Sequence, residues 1–175
     1  MKRRYALKQI MLATGVVGLF PACYKSLNQS SIKLKNLNIS TDDEKTLAEI
    51  VDTIIPKTDT PGAKELSVDL FVLKMVDDCY PPEEQKAFVN GLQQLPSLAK
   101  KLTGQSFDKS GTSERQNILK RLSESDAESD LAKFYKMVRH RTIQGYMNSE
   151  HVMSKLVIYE MVPGRYNGYF PVATT

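Results

Sequence analysis

Val68, Phe71, Val72, Met75, Val76 and Cys79 recur at the i, i+3, i+4, i+7 spacing of a single helix face, and Pro81-Pro82 ends the run. A strand would scatter these residues over both faces of a sheet, whereas an α-helix gathers them into one apolar stripe that must be buried. The same period returns along the chain. Leu47, Ile50, Val51 and Ile54 form one stripe, Phe88, Leu92 and Leu95 a second, and Ile118, Leu119 and Leu122 a third. Leu131, Phe134, Tyr135, Val138 and Thr142 follow, then Val152, Met153, Leu156 and Tyr159. No stretch alternates convincingly with period two. The expected fold class is therefore all-α: a single bundle of about five or six helices with an irregular C-terminal tail.

Helix starts are marked by residues that can accept from the free amides of a first turn. Thr41 with Glu44, Ser113 with Gln116 and Ser125 with Glu128 each have capping-box spacing, and Pro82-Glu83-Glu84 can open a third helix. Ser149 starts the last one. The carboxylate pairs Asp42-Asp43, Asp77-Asp78 and Glu83-Glu84 lie near proposed helix ends, where helix-start or solvation roles account for them.

Two segments break the helical grammar. Ile55 to Ala63 holds Pro56, Pro61 and Gly62 between strong helices; Pro61-Gly62 favours a type II turn with Gly62 at positive φ. Asp52 and Asp59 flank this loop and are candidates for holding its amides. The second segment, Val162 to Pro171, carries Tyr166, Tyr169 and Phe170 with two turn signals and no helical period. Clustered aromatics on a loop either pack back over the core or form a surface for a partner.

The first 22 residues read as an export signal. Arg3-Arg4 followed by Leu7-Lys8 is a twin-arginine pattern, and the apolar stretch from Ile10 to Phe20 is too short for a bilayer, which needs about 20 residues. Ala22-Cys23 resembles a lipoprotein cleavage site, with Phe20 where an aliphatic residue is usual. The alternative is a plain signal with an incidental cysteine. Residues 1–22 thus form the signal, 23–40 a lipidated Cys23 with its Ser/Asn/Lys-rich flexible tether, and 41–175 the helical domain. Cys79 ends an apolar stripe and is expected as a buried free thiol; an unacylated Cys23 would permit a Cys23–Cys79 bridge.

Charge narrows the function. The signal holds Lys2, Arg3, Arg4 and Lys8 and no acid; taking these from 24 basic residues leaves 20, matching the 20 acidic ones. The mature chain is neutral, which removes the electrostatic case for nucleic-acid binding. Motifs for dinucleotides, phosphate loops and covalent haem are absent. His140, between Arg139 and Arg141, reads as a solvated helix face, and His151 stands at a helix start. With two isolated histidines, no catalytic, cofactor-binding or metal-binding residue is expected in this chain.

Asp52-Thr53-Ile54-Ile55-Pro56-Lys57-Thr58-Asp59-Thr60-Pro61-Gly62-Ala63 resembles a signature of the gluconate 2-dehydrogenase subunit 3 family. Gly145-Tyr146-Met147-Asn148-Ser149-Glu150 is similar to its Gly-Tyr-x-x-Ser-Glu segment, and Tyr159 to Gly168 to its Pro-Gly closing motif. Tyr169 departs from the small residue or Cys common after that final glycine.

The resemblance implies a non-catalytic small subunit of a periplasmic dehydrogenase that oxidises gluconate or another sugar. It implies a large FAD-dependent catalytic partner, often with a cytochrome c subunit, so that FAD and haem belong to the partners. The twin-arginine leader would carry the large subunit across with it. Asp59, Thr60, Pro61, Gly62, Ala63, Tyr166, Tyr169 and Phe170 are then the expected partner-binding residues. The alternative is a free-standing helical envelope lipoprotein that binds a ligand or another partner.

Overall fold

Among the described residues of the computed structural model, five α-helices follow one another: α1 (Thr41–Ile54), α2 (Val68–Cys79), α3 (Pro82–Thr103), α4 (Thr112–Ser123) and α5 (Asp130–Met147). A 3-10 turn, Phe107–Lys109, joins α3 to α4, and a π-helical turn, Val152–Leu156, follows α5. The structure describes residues 30–125 and 128–157, with 159–162, 164, 168 and 169; none of these lies in a strand. The chain is all-α, as its periodicity requires.

Three caps differ from those expected. Ser40, not Thr41, caps α1: its Oγ accepts from Asp43 N at 3.1 Å while Asp43 accepts from Ser40 N. Glu44 is engaged elsewhere, taking the amide and hydroxyl of Ser31 at 2.6 Å each. Gly111 begins α4 with Glu114 reaching back to its amide at 2.9 Å, and Ser129 caps α5 by accepting from Ala132 N. Ser125 instead donates to Leu122 O. Each true cap holds the extended backbone that leaves its side-chain oxygen or amide facing the first turn. Helix α3 also runs through Pro96 to Thr103, although proline removes one i-to-i−4 bond. It stops at Gly104, whose φ of 77° is the left-handed conformation glycine tolerates.

The helices are welded by close backbone approach. Phe88 on α3 meets Phe134 on α5 edge to face at 5.2 Å between ring centroids. Beside this pair, a Cβ on Gly91 would lie 2.3 Å from Phe134 Cβ, so only glycine lets α3 and α5 draw this near. Leu47, Ile50, Val72, Leu73, Val76, Leu92, Leu95 and Ile118 fill the centre.

Helix α2 is turned from its expected orientation. Its buried face is Val68, Asp69, Val72, Leu73, Val76 and Asp77, while Phe71 and Met75 are half-buried. Cys79, expected as a buried thiol, is exposed and free. The cause is Asp77. Its carboxylate is not solvated but draws in three backbone amides, those of Lys35 (2.8 Å), Asn36 (2.7 Å) and Leu37 (3.0 Å). Asn36 Nδ2 donates in turn to Asp77 O at 2.8 Å. Burial alone would raise the Asp77 pKa; the three amides and Lys74 outweigh it and hold the pKa below the ordinary value.

The described part of the expected tether is consequently docked on the body, with Leu37 and Ile39 buried and Ile32 and Leu34 packed against the core. Gln85 finishes the corner: its Nε2 lies within 3.0–3.2 Å of the carbonyls of Val76, Asp77 and Tyr80, which α2 leaves free at its end. Cys23 lies outside the described residues, as do Arg3, Arg4, Leu7 and Lys8.

Candidate functional site

The proline loop closes on itself before it meets any neighbour. Ala63 N donates to Ile55 O at 2.9 Å and Thr58 N to Thr60 O at 3.1 Å. Gly62 N donates to Glu65 Oε2 at 3.3 Å, and Glu65 Oε1 takes Lys57 Nζ at 2.6 Å. The hydrogen bond from Lys57 lowers the Glu65 pKa and raises that of Lys57. Among the described residues, Glu65 and Ile55 hold these amides; neither Asp52 nor Asp59 does. Gly62 does not take positive φ either. Its reason is space: an added Cβ would lie 2.7 Å from Lys57 N and 3.0 Å from Pro56 C.

Asp59 is exposed, Thr60 and Pro61 are half-buried, and Gly62 and Ala63 are buried in the protein itself. Only the first three offer surface; the last two shape the loop. The turn leaving it is tight, with Val68 N donating to Ala63 O at 3.0 Å and Ser67 held at φ 53°, an uncommon conformation for a residue with a side chain.

The end of α5 comes to this loop. Tyr146 Oη donates to Pro61 O at 3.1 Å, and the Thr60 hydroxyl stands 3.4 Å from Tyr146 Oη. One residue earlier, Gly145 lies under Phe71 and Val68 of α2; a Cβ there would be 2.6 Å from Phe71 Cδ1. Ser149 Oγ donates to Tyr146 O at 2.7 Å and turns the chain out of α5. The proline loop and the Gly-Tyr-x-x-Ser-Glu segment, separate in sequence, thus form one junction. A cleft of about 530 Å³ opens beside it, walled by Leu66, Val68 and Phe71 on one side and by Ser149, His151 and Ser154 on the other. His151 Nε2 is buried without a hydrogen-bond partner among the described residues, as is Thr142 Oγ1.

Behind the loop, Glu49 of α1 receives Lys64 Nζ and Arg115 Nη1, each at 2.5 Å. Arg115 also donates to Phe107 O (3.0 Å) and Asp108 O (2.6 Å), and its guanidinium lies over the Phe107 ring. Burial pushes the Glu49 pKa up, but the hydrogen bonds and charges of Lys64 and Arg115 prevail and lower it. Lys64 is raised by its bond to Glu49. This network fixes α1, α4 and the loop's exit to one another.

Beyond the junction, large apolar side chains stand exposed among polar ones. Met147, Leu156, Val157, Tyr159, Met161 and Val162 are all at least two-fifths exposed, and Tyr169 is 96% exposed. Tyr166 and Phe170 lie outside the described residues. Among the described residues, no group of three or more His, Cys, Asp or Glu could hold a metal ion, and no helix is long and apolar enough to cross a membrane.

No curated protein and no solved structure matches the chain. The family model for gluconate 2-dehydrogenase subunit 3 matches residues 41–164, from the first residue of α1 through the proline loop and the Tyr146 junction to Gly164. That span covers well over half of the sequence, and the chain therefore belongs to the gluconate 2-dehydrogenase subunit 3 family.

Proposed function

We propose that this chain is the non-catalytic small subunit of a periplasmic, FAD-dependent dehydrogenase of gluconate or another sugar, serving the export, assembly and stability of its large catalytic subunit. FAD and haem reside in the large subunit and in a cytochrome c subunit. Arg3, Arg4, Leu7 and Lys8 direct the complex to the twin-arginine route, and an acylated Cys23 holds it at the membrane surface. The observation that carries this reading is the set of large apolar side chains left exposed in the described residues that follow the Tyr146 junction, Met147, Leu156, Val157, Tyr159, Met161, Val162 and Tyr169. Exposed apolar surface of this kind marks an interaction site, and the large dehydrogenase subunit is the partner that family membership supports.

Co-purification tests it. Full-length protein isolated from membranes should bring down a large polypeptide carrying flavin, identified by mass spectrometry and its absorption spectrum. Replacing Arg3 and Arg4 together with Lys should keep both polypeptides in the cytoplasm. A partner without flavin, or one that reaches the periplasm normally in the double variant, overturns the assignment or its export arm respectively.

A further inference from the structure

A second groove, of about 1160 Å³, runs between α4 and α5 and past the end of α1. Its volume exceeds the roughly 300–1,000 Å³ of ordinary small-molecule clefts. The floor is apolar: Ile54, Leu122, Tyr135 and Ile143 line it, Leu122 almost fully buried and Ile143 42% exposed. The rim is basic. Lys120 from α4 and Lys136 and Arg139 from α5 stand exposed along it, and their side chains make no ion pair among the described residues. Lys133 is matched by Glu128 at 3.0 Å, the one acidic residue among the described lining residues. Three positive charges over an apolar trough therefore lack counterparts among the described residues.

We propose that this groove receives an acidic, amphipathic segment of a partner protein, its apolar side chains on the Ile54–Tyr135–Ile143 floor and its carboxylates on Lys120, Lys136 and Arg139. Charge selects this occupant over the chain's own ends. Residues 1–29 and 163–175 contain no Asp or Glu, and Lys2, Arg3, Arg4, Lys8, Lys25 and Arg165 would meet the rim with like charge. A concave trough also fits a peptide better than the flat array of headgroups on a bilayer. The proposal holds whatever large subunit the protein accompanies, and it fails separately from that assignment.

The test uses the full-length chain and a labelled, helix-forming peptide of about twelve residues with Leu on one face and Glu on the other. The wild type should bind it with an affinity that falls as salt is raised. Lys120→Glu with Lys136→Glu should weaken binding at least about tenfold while the thermal midpoint moves by less than about 2 °C, since both residues are exposed. Ile143→Asp, on the floor, should weaken it comparably. Equal binding of a peptide with Lys in place of Glu, or undiminished binding by the double variant, overturns the proposal. Displacement of the peptide by phosphatidylglycerol vesicles but not by neutral ones would reassign the groove to lipid headgroups. Self-association of the wild type abolished in the double variant would reassign it to a second copy of the chain.

Discussion

The hydroxyl of Tyr146 donates to the carbonyl oxygen of Pro61 at 3.1 Å, joining two segments 85 residues apart. Tyr146→Phe removes that one atom and keeps the ring. It should cost about 1 kcal/mol, the usual net value of a hydrogen bond, or a thermal midpoint lower by roughly 2–4 °C. If the junction presents the loop to the large subunit, the yield of co-purified complex should fall further than this loss of stability explains. An unchanged yield with a lowered midpoint would confine Tyr146 to a folding role.

Asp77→Asn should be more damaging. An amide cannot accept from all three of Lys35 N, Asn36 N and Leu37 N, and a hydrogen bond to a charged group contributes about 1.5–3 kcal/mol net. Residues 30–39 should become accessible to proteases in the variant while α3 and α5 stay protected from hydrogen exchange. In the wild type the sign with pH follows from the lowered pKa. The stability Asp77 supplies is complete above its ordinary value of 3.8 and is lost as pH falls through the depressed value in the fold.

Asp69 runs the other way. Burial, the largest influence on it, raises its pKa above 3.8 against the pull of its own amide and that of Leu70. A carboxyl with a raised folded pKa favours the fold when protonated, so its contribution declines as pH rises from 3.8 through the raised value. Asp69→Asn should flatten the stability profile above pH 3.8 and leave the acid limb set by Asp77 intact. Denaturant midpoints measured across that range decide it; an unaltered slope above 3.8 would contradict the assignment.

Tyr169 is 96% exposed, so Tyr169→Ala should leave the thermal midpoint of the isolated subunit within about 1 °C of the wild type. If it anchors the large subunit, affinity should drop by more than about 2 kcal/mol, the scale of an interface hot spot. Calorimetry on the subunit and titration with the large subunit separate the two. A midpoint lowered by several degrees would place this side chain in the core instead.

The helices were legible because their apolar positions repeat faithfully at 3.6 residues, and Pro56 and Pro81-Pro82 punctuate them. What escaped was set by contacts distant in sequence. Ser40 and Thr41 both offer a hydroxyl with an acid three residues on; the choice fell to Ser40 because Glu44 is claimed by Ser31. Asp77 reads as a surface acid beside Asp78 until residues 35–37 fold onto it, and that same contact turns Cys79 outward. At the candidate site, Pro61 and Gly62 announced a rigid loop, but no local signal paired it with Tyr146. Gly62 shows the limit well: its identity follows from the closeness of Lys57 N, a distance no dipeptide rule encodes.

The contact between Asp77 and Lys35–Leu37 also imposes an order of events during synthesis. The three amides emerge some forty residues ahead of the carboxylate that receives them, so this stretch has no docking place until α2 has been made. Once it docks, residues 30–39 no longer lead away from the start of α1 but lie against the body. That takes about ten residues, or roughly 33–36 Å of extended reach, out of the span before α1. The separation between residue 30 and α1 thereby becomes a physical measure of whether the domain has closed.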